Sequence, residues 1–133
     1  MVKKGRIFDI ELSCDFEYLW RYNITLACEM LGEQGERLDF GSKELRVADI
    51  GSQMRVAPEG WTKRQKLQLS TVRCASIRIV AYLLAHTRPE ERDVESLKPF
   101  EMRIMVTTDG EKIYNKVHYV DQRGGAAINI VLP

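Results

Sequence analysis

The sequence predicts an all-β domain, an antiparallel Greek-key β-sandwich of about eight strands with one short helix. A closed antiparallel β-barrel is the alternative. Period-2 alternation of apolar and polar residues recurs in segment after segment, the signature of half-buried strands. Turn signals separate these segments every ~8–12 residues. The gap between Ile79 and Phe100 is the one stretch with room for a helix between strands, which excludes a parallel α/β winding.

The first strand runs over Arg6–Leu12, with Phe8, Ile10 and Leu12 inward and Asp9 and Glu11 outward. The clearest alternation is Trp20–Met30. Trp20, Tyr22, Ile24, Leu26, Cys28 and Met30 share one face, and Arg21, Asn23, Thr25 and Glu29 share the other. A helix would scatter those apolar residues around its circumference. Gly32–Arg37 reads as a turn or loop. Leu45–Ile50 and Gln53–Ala57 are short strand candidates split by Gly51-Ser52. Pro58-Glu59-Gly60 turns into Trp61–Val72, where Trp61, Leu67, Leu69 and Thr71 share one parity and Thr62, Arg64, Lys66, Gln68 and Ser70 the other.

Ser76–His86 is apolar on both parities, as in a strand that is covered on both faces or central in its sheet. Thr87–Pro99 is the helix candidate: Thr87 can cap it, and Glu90, Glu91 and Asp93 suit its positive end. Phe100–Thr107 alternates again, with Phe100, Met102, Ile104 and Val106 inward. Asp109-Gly110 then makes a hairpin turn. Ile113–Val120 returns, Gln122–Gly125 turns, and Ala126–Leu132 closes the fold. The 133 residues form one domain, spanning 1–133. Leu26, Ile79 and Ile104 are expected at the centre of its core.

Composition removes several function classes. Apolar residues make up 44% and charged residues 29%, an ordinary globular balance that is neither disordered nor fibrous. The longest apolar run, Ile79–Ala85, is far short of the ~20 residues of a membrane-spanning helix. Twenty bases against nineteen acids leave a net charge of +1, so no whole-molecule field draws in nucleic acid. Locally, Asp9, Glu11, Asp15 and Glu17 make the start acidic, whereas Arg55, Lys63, Arg64, Lys66, Arg73 and Arg78 face one acid, Glu59, in the middle.

The chemistry-bearing residues do not converge in sequence. Cys14, Cys28 and Cys74 form no CxxC pair and have no histidine at ligand spacing, so they are expected as free thiols in a cytoplasmic protein. Cys74 follows Arg73, which is weak ground for an activated thiol. His86 ends the most apolar strand, and His118, on the Tyr114, Lys116, Val120 parity, is expected to point outward. Gly124-Gly125 lacks the following Lys-Ser or Lys-Thr of a phosphate loop and is a turn. No cofactor and no metal is assigned. If Leu45–Ile50 and Gln53–Ala57 count as separate strands, Asp15, Glu17 and Asp109 fall at one end and could face a cation. If that stretch is a single strand, they separate.

These residues point to a non-catalytic protein-interaction or assembly module. Its expected binding strip is Arg64, Lys66 and Gln68 on one exposed strand face, with Trp61 at the strand start. The partner is expected to be a protein, with self-association included, and not nucleic acid. A small-ligand domain for a sugar or lipid headgroup is the alternative, and an enzyme of unknown type is the second alternative.

Overall fold

The computed structural model describes residues 5–87 and 98–133. The expected Thr87–Pro99 helix falls on 88–97 and lies outside the described residues. Eight strands build two four-stranded antiparallel sheets. These are β1 (Phe8–Cys14), β2 (Tyr22–Leu31), β3 (Arg37–Leu45), β4 (Gln65–Ser70), β5 (Ser76–Ala85), β6 (Phe100–Thr108), β7 (Glu111–Val120) and β8 (Ala126–Leu132). The first sheet has the order β4-β1-β6-β7 and the second β3-β2-β5-β8. Hairpins join β2 to β3 and β6 to β7, while every other connection passes between sheets. The fold is therefore an all-β sandwich and not a closed barrel. A single 3₁₀ turn, Leu19–Arg21, precedes β2.

The core is the sum of the inward parities. Phe8, Ile10 and Leu12 of β1 and Met102, Ile104 and Val106 of β6 meet Ile24, Leu26 and Cys28 of β2 and Ile77, Ile79 and Leu83 of β5. Leu26, Ile79 and Ile104 are fully buried, as the alternation requires. Tyr22 is buried too, and its hydroxyl donates to the Gln122 carbonyl, tying the start of β2 to the turn before β8.

Three stretches differ from the sequence reading. The strand expected over Trp61–Val72 is confined to Gln65–Ser70, so Trp61 and Arg64 precede it. Residues Arg37–Leu45 form a strand that alternation does not show. Their register pairs Asp39 with Met30, Gly41 with Cys28 and Lys43 with Leu26, so the inward parity is polar and Leu38 and Phe40 face out. Inward charges blunt an edge strand against pairing with another chain. Gly41 has no side chain to fill the space between Leu69 and Met30, which lets this edge close on the core.

Conversely, neither Leu45–Ile50 nor Gln53–Ala57 forms a strand. Side chains satisfy that backbone instead of a ladder. Asn23 donates through Nδ2 to the Ala48 carbonyl (2.7 Å), and its Oδ1 accepts from Val47 N (2.7 Å). Thr87 Oγ1 accepts from Met54 N (3.1 Å) and contacts the Ser52 carbonyl at 2.7 Å. Ile50 and Val56 are consequently exposed.

The same change removes the cation rim. With β3 as the single strand between β2 and β4, the β6–β7 hairpin falls at the opposite end from the β1–β2 connection. The register is explicit: Phe8 pairs with Thr108, whereas Ser13 pairs with Arg103. Asp109 thus lies beyond the start of β1, and Asp15 and Glu17 lie beyond its end. No group of three His, Cys, Asp or Glu poised for a metal occurs among the described residues.

Candidate functional site

Strand β4 presents its polar parity on the outer face of the first sheet, where Lys66, Gln68 and Ser70 are exposed and Leu69 points inward. Its neighbour β1 places Ser13, Glu11 and Asp9 directly opposite those three residues. Next to β1, β6 adds Arg103, Met105 and Thr107 in the same rows. Because strands twist, this face forms a trough of about 380 Å³ lined by Glu11, Ser13, Asp15, Arg64, Lys66 and Arg103, with Glu101 and Val117 on its far side.

The charges in the trough are partly matched. Lys66 Nζ lies 3.5 Å from Glu11 Oε1, and Gln68 Nε2 donates to that same oxygen at 3.1 Å. Ser70 donates to Asp9 (2.6 Å), and Arg103 donates to Asn115 Oδ1 (2.6 Å). Arg64 forms no ion pair among the described residues and stands at the trough's edge with all its donors available. Lys66 and Gln68 are exposed on β4, whereas Arg64 precedes the strand; Arg64 and Lys66 line one trough and Gln68 continues the row. Acids on β1 stand beside it, so it is a zwitterionic face and not a purely basic one. Alternation within β4 reveals its own parity, but only the β1–β4 register shows which acids it meets.

Trp61 stands apart from this strip. It packs half-buried against the core, and its indole Nε1 is buried with no hydrogen-bond partner among the described residues.

The histidines are structural in their contacts. His86 is buried, with Nε2 donating to the Trp20 carbonyl (2.6 Å) and Nδ1 2.8 Å from Thr87 Oγ1. It helps to pin the long connection, since its carbonyl accepts from Gly51 N (3.1 Å). His118 does not sit on the outward parity. It pairs with Met102, which points into the core, and is half-buried at the sheet edge, 2.9 Å from the Tyr114 hydroxyl. Burial, with Lys116 nearby, lowers its pKa below the ordinary histidine value.

Cys14, Cys28 and Cys74 are free and buried. Burial pushes Cys14 up to about 11 and Cys28 up to about 12. Cys74 is raised by burial as well, against smaller opposing effects from Thr71, Leu31 and Arg6. Arg73 does not activate it, because its guanidinium donates to the Gly5 carbonyl (3.1 Å). A nucleophilic thiol needs the opposite shift. Two units of increase leave about one hundredth of the thiolate an ordinary cysteine carries at pH 8. Native protein at pH 8 is therefore expected to react with a disulfide reagent at least about a hundredfold more slowly than unfolded protein, with the rate rising toward pH 11. Denatured, unreduced protein should titrate three thiols, matching the three cysteines of the chain. Rapid modification of the native state would contradict this burial.

Fold and site together define an antiparallel β-sandwich carrying a mixed-charge trough on one outer face. No helix among the described residues is long and apolar enough to cross a membrane. No family model matches the chain, and no curated protein matches it. Among solved structures, it is similar to a DUF4425 family protein from Bacteroides ovatus ATCC 8483. The TM-score is 0.47 at 10% identity, covering 98% of this chain and 95% of that one. At that level the likeness carries no residue role.

Proposed function

We propose that the chain is a non-catalytic protein-interaction module whose trough on the first sheet receives an acidic segment of a partner protein. The observation that supports this most is Arg64, an unpaired guanidinium beside Lys66, Ser13 and Arg103 along one trough. A guanidinium presents a fixed fork of donors that matches a carboxylate in a bidentate pair. Glu11, Asp15 and Glu101 bound the same trough and repel an acid placed out of register, which favours one partner alignment over others.

The test uses the native chain and the Arg64→Glu/Lys66→Glu double variant as paired baits at low and physiological salt. The double reversal is expected to weaken capture of the partner at least about tenfold and to flatten its salt dependence. It costs the fold little, because an exposed pair such as Lys66–Glu11 contributes at most ~1 kcal/mol. Equal capture by both baits would reduce the strip to a solvated face.

One observation favours a small-ligand reading as a second choice. The trough's 380 Å³ falls within the roughly 300–1,000 Å³ of small-molecule sites, and its lining is polar, as a sugar or lipid headgroup needs. Thermal melting with a panel of monosaccharides, phosphocholine and inositol phosphates separates the two readings, since a ligand bound only to the native state must raise the melting temperature.

A further inference from the structure

The outer face of the second sheet breaks the rule its counterpart obeys. An antiparallel sheet with one solvated face carries polar residues there, and the first sheet does so. On the second sheet, β5 turns Val80, Tyr82 and Leu84 outward, β8 turns out Ala127 and Val131, and β3 turns out Phe40. Phe40, Tyr82, Leu84 and Val131 are 50%, 45%, 56% and 64% exposed. Being apolar on both parities, β5 is the strand whose sequence asks for cover on both sides, and this chain covers one. We propose that this face is the interface of a homodimer, in which two copies pack second sheet against second sheet about a two-fold axis running along the strands between β2 and β5.

The register of the face is what identifies a second copy as the occupant. The strands place residues in rows across the sheet, in the order β3, β2, β5, β8. One row is Phe40, Glu29, Arg78, Val131; the next is Ser42, Ala27, Val80, Asn129; the third is Glu44, Thr25, Tyr82, Ala127. A two-fold axis between β2 and β5 lays each row over its own reverse. In the first row, Glu29 falls over the partner copy's Arg78 and Arg78 over its Glu29, with Phe40 facing Val131 on both flanks. Each Glu29 is already held by Arg37 (2.7 Å) and Arg78 (3.3 Å) of its own chain, so the dimer sets the partner copy's Arg78 over a carboxylate that its own chain has fixed in place. In the second row, Ala27 meets Val80 while Ser42 meets Asn129, so apolar faces apolar and polar faces polar. In the third, the Tyr82 ring covers Thr25, and Glu44 falls over Ala127 at the rim.

The first sheet fails the same operation. Its row Gln68, Glu11, Met105, Asn115 would set the Glu11 carboxylate on Met105. For the pairs beside the axis, self-complementarity is thus a property of one face, as an isologous interface requires. The area is adequate. Four strands ~4.8 Å apart and about ten residues long give a footprint of roughly 600 Å², the order of the ~800 Å² each partner of a standard interface buries. Sheets packed this way lie ~10 Å apart and nearly aligned.

Light scattering on the eluted full chain tests the proposal. The expected mass is twice the 15.4 kDa of the chain. Tyr82→Glu, at an exposed position the fold does not need, should raise the dimer dissociation constant about a hundredfold or more with an unchanged far-ultraviolet circular dichroism spectrum. Lys66→Glu on the opposite sheet should leave it unchanged. Glu29→Arg and Arg78→Glu should each weaken the dimer, and mixing the two variants should restore it, because the heterodimer regains both opposed pairs. That rescue reports contact between chains, since each variant alone lacks the Glu29–Arg78 pair within its own chain. A monomer at 200 µM (roughly the upper end for a weak specific dimer), a dimer indifferent to Tyr82→Glu, or a mixture that stays monomeric overturns the proposal.

Discussion

Leu26→Ala is expected to destabilise the domain by about 2–5 kcal/mol, as deletions of fully buried leucines do. Leu26 is 0% exposed at the middle of β2. Its cross-strand neighbours on the inward parity are Lys43 of the edge strand and Ala81 of β5. Alanine is too short to reach into the space the lost isobutyl group leaves. Lys43 is exposed at the sheet edge and keeps its ammonium in water. The cavity therefore stays open, and the loss should fall in the upper half of that range. Ile79→Ala and Ile104→Ala test the same core from β5 and from the opposite sheet, and both residues are 0% exposed. Urea unfolding of the three variants decides the matter. A loss below about 0.5 kcal/mol at two of them would mean that the inward parities are wrongly assigned.

Legibility of the fold followed burial. Strands β1, β2 and β6 bury one face completely, and their alternation gave away their inward side, with bounds that shift by up to two residues at β1 and β2. Strand β3 was not legible because it overhangs the sandwich edge, where the core does not sort its residues. Asp39 and Lys43 stand on its inward parity, and Phe40 shares the outward parity with Ser42 and Glu44. The reverse error at Leu45–Ala57 has the same origin. Apolar residues such as Ile50 and Val56 invite a strand, but Asn23 and Thr87 occupy the backbone groups a ladder would have used. Side-chain amides and hydroxyls distant in sequence carry no periodic signal.

The site was legible one strand at a time. Within β4, the parity of Lys66 and Gln68 could be read, and the outward position was correct. That Glu11 would take both Lys66 and Gln68 depends on pairing between β1 and β4, strands more than fifty residues apart. Sequence parity gives no access to such a pairing. His118 shows the limit within a single strand. The bulge between Val106 and Thr107 shifts the register of β7, so the parity that carries polar Lys116 and His118 is the one that faces the core. The apolar outward parity of β5, by contrast, was fully legible, and it became informative only when the second sheet was seen to leave it uncovered.

Gly125→Ala is expected to be as costly as a core deletion, for an unrelated reason. Gly124-Gly125 reads as a turn in the sequence without showing which glycine is indispensable. Gly125 has φ +71° and donates its N–H to the Asp121 carbonyl at 2.8 Å. A Cβ at this position would run into the backbone carbonyl oxygen of Leu83, in the strand that β8 must pair with. The left-handed conformation alone costs an L-residue about 1–2 kcal/mol. Forcing β8 away from β5 adds about 1–3 kcal/mol more, the usual range for overpacking against a partner that cannot yield. Two controls separate these contributions. Gly110→Ala, at φ +77° with nothing near its Cβ position, should show the conformational part only. Gly124→Ala approaches the exposed Asp121 carboxylate at 2.9 Å, a side chain that can swing aside, and should cost less than about 1 kcal/mol. Equilibrium urea unfolding should order the losses Gly125 above Gly110 above Gly124. Equal losses at Gly125 and Gly110 would show that the Leu83 carbonyl exacts nothing, and with it that β8 has freedom to shift against β5.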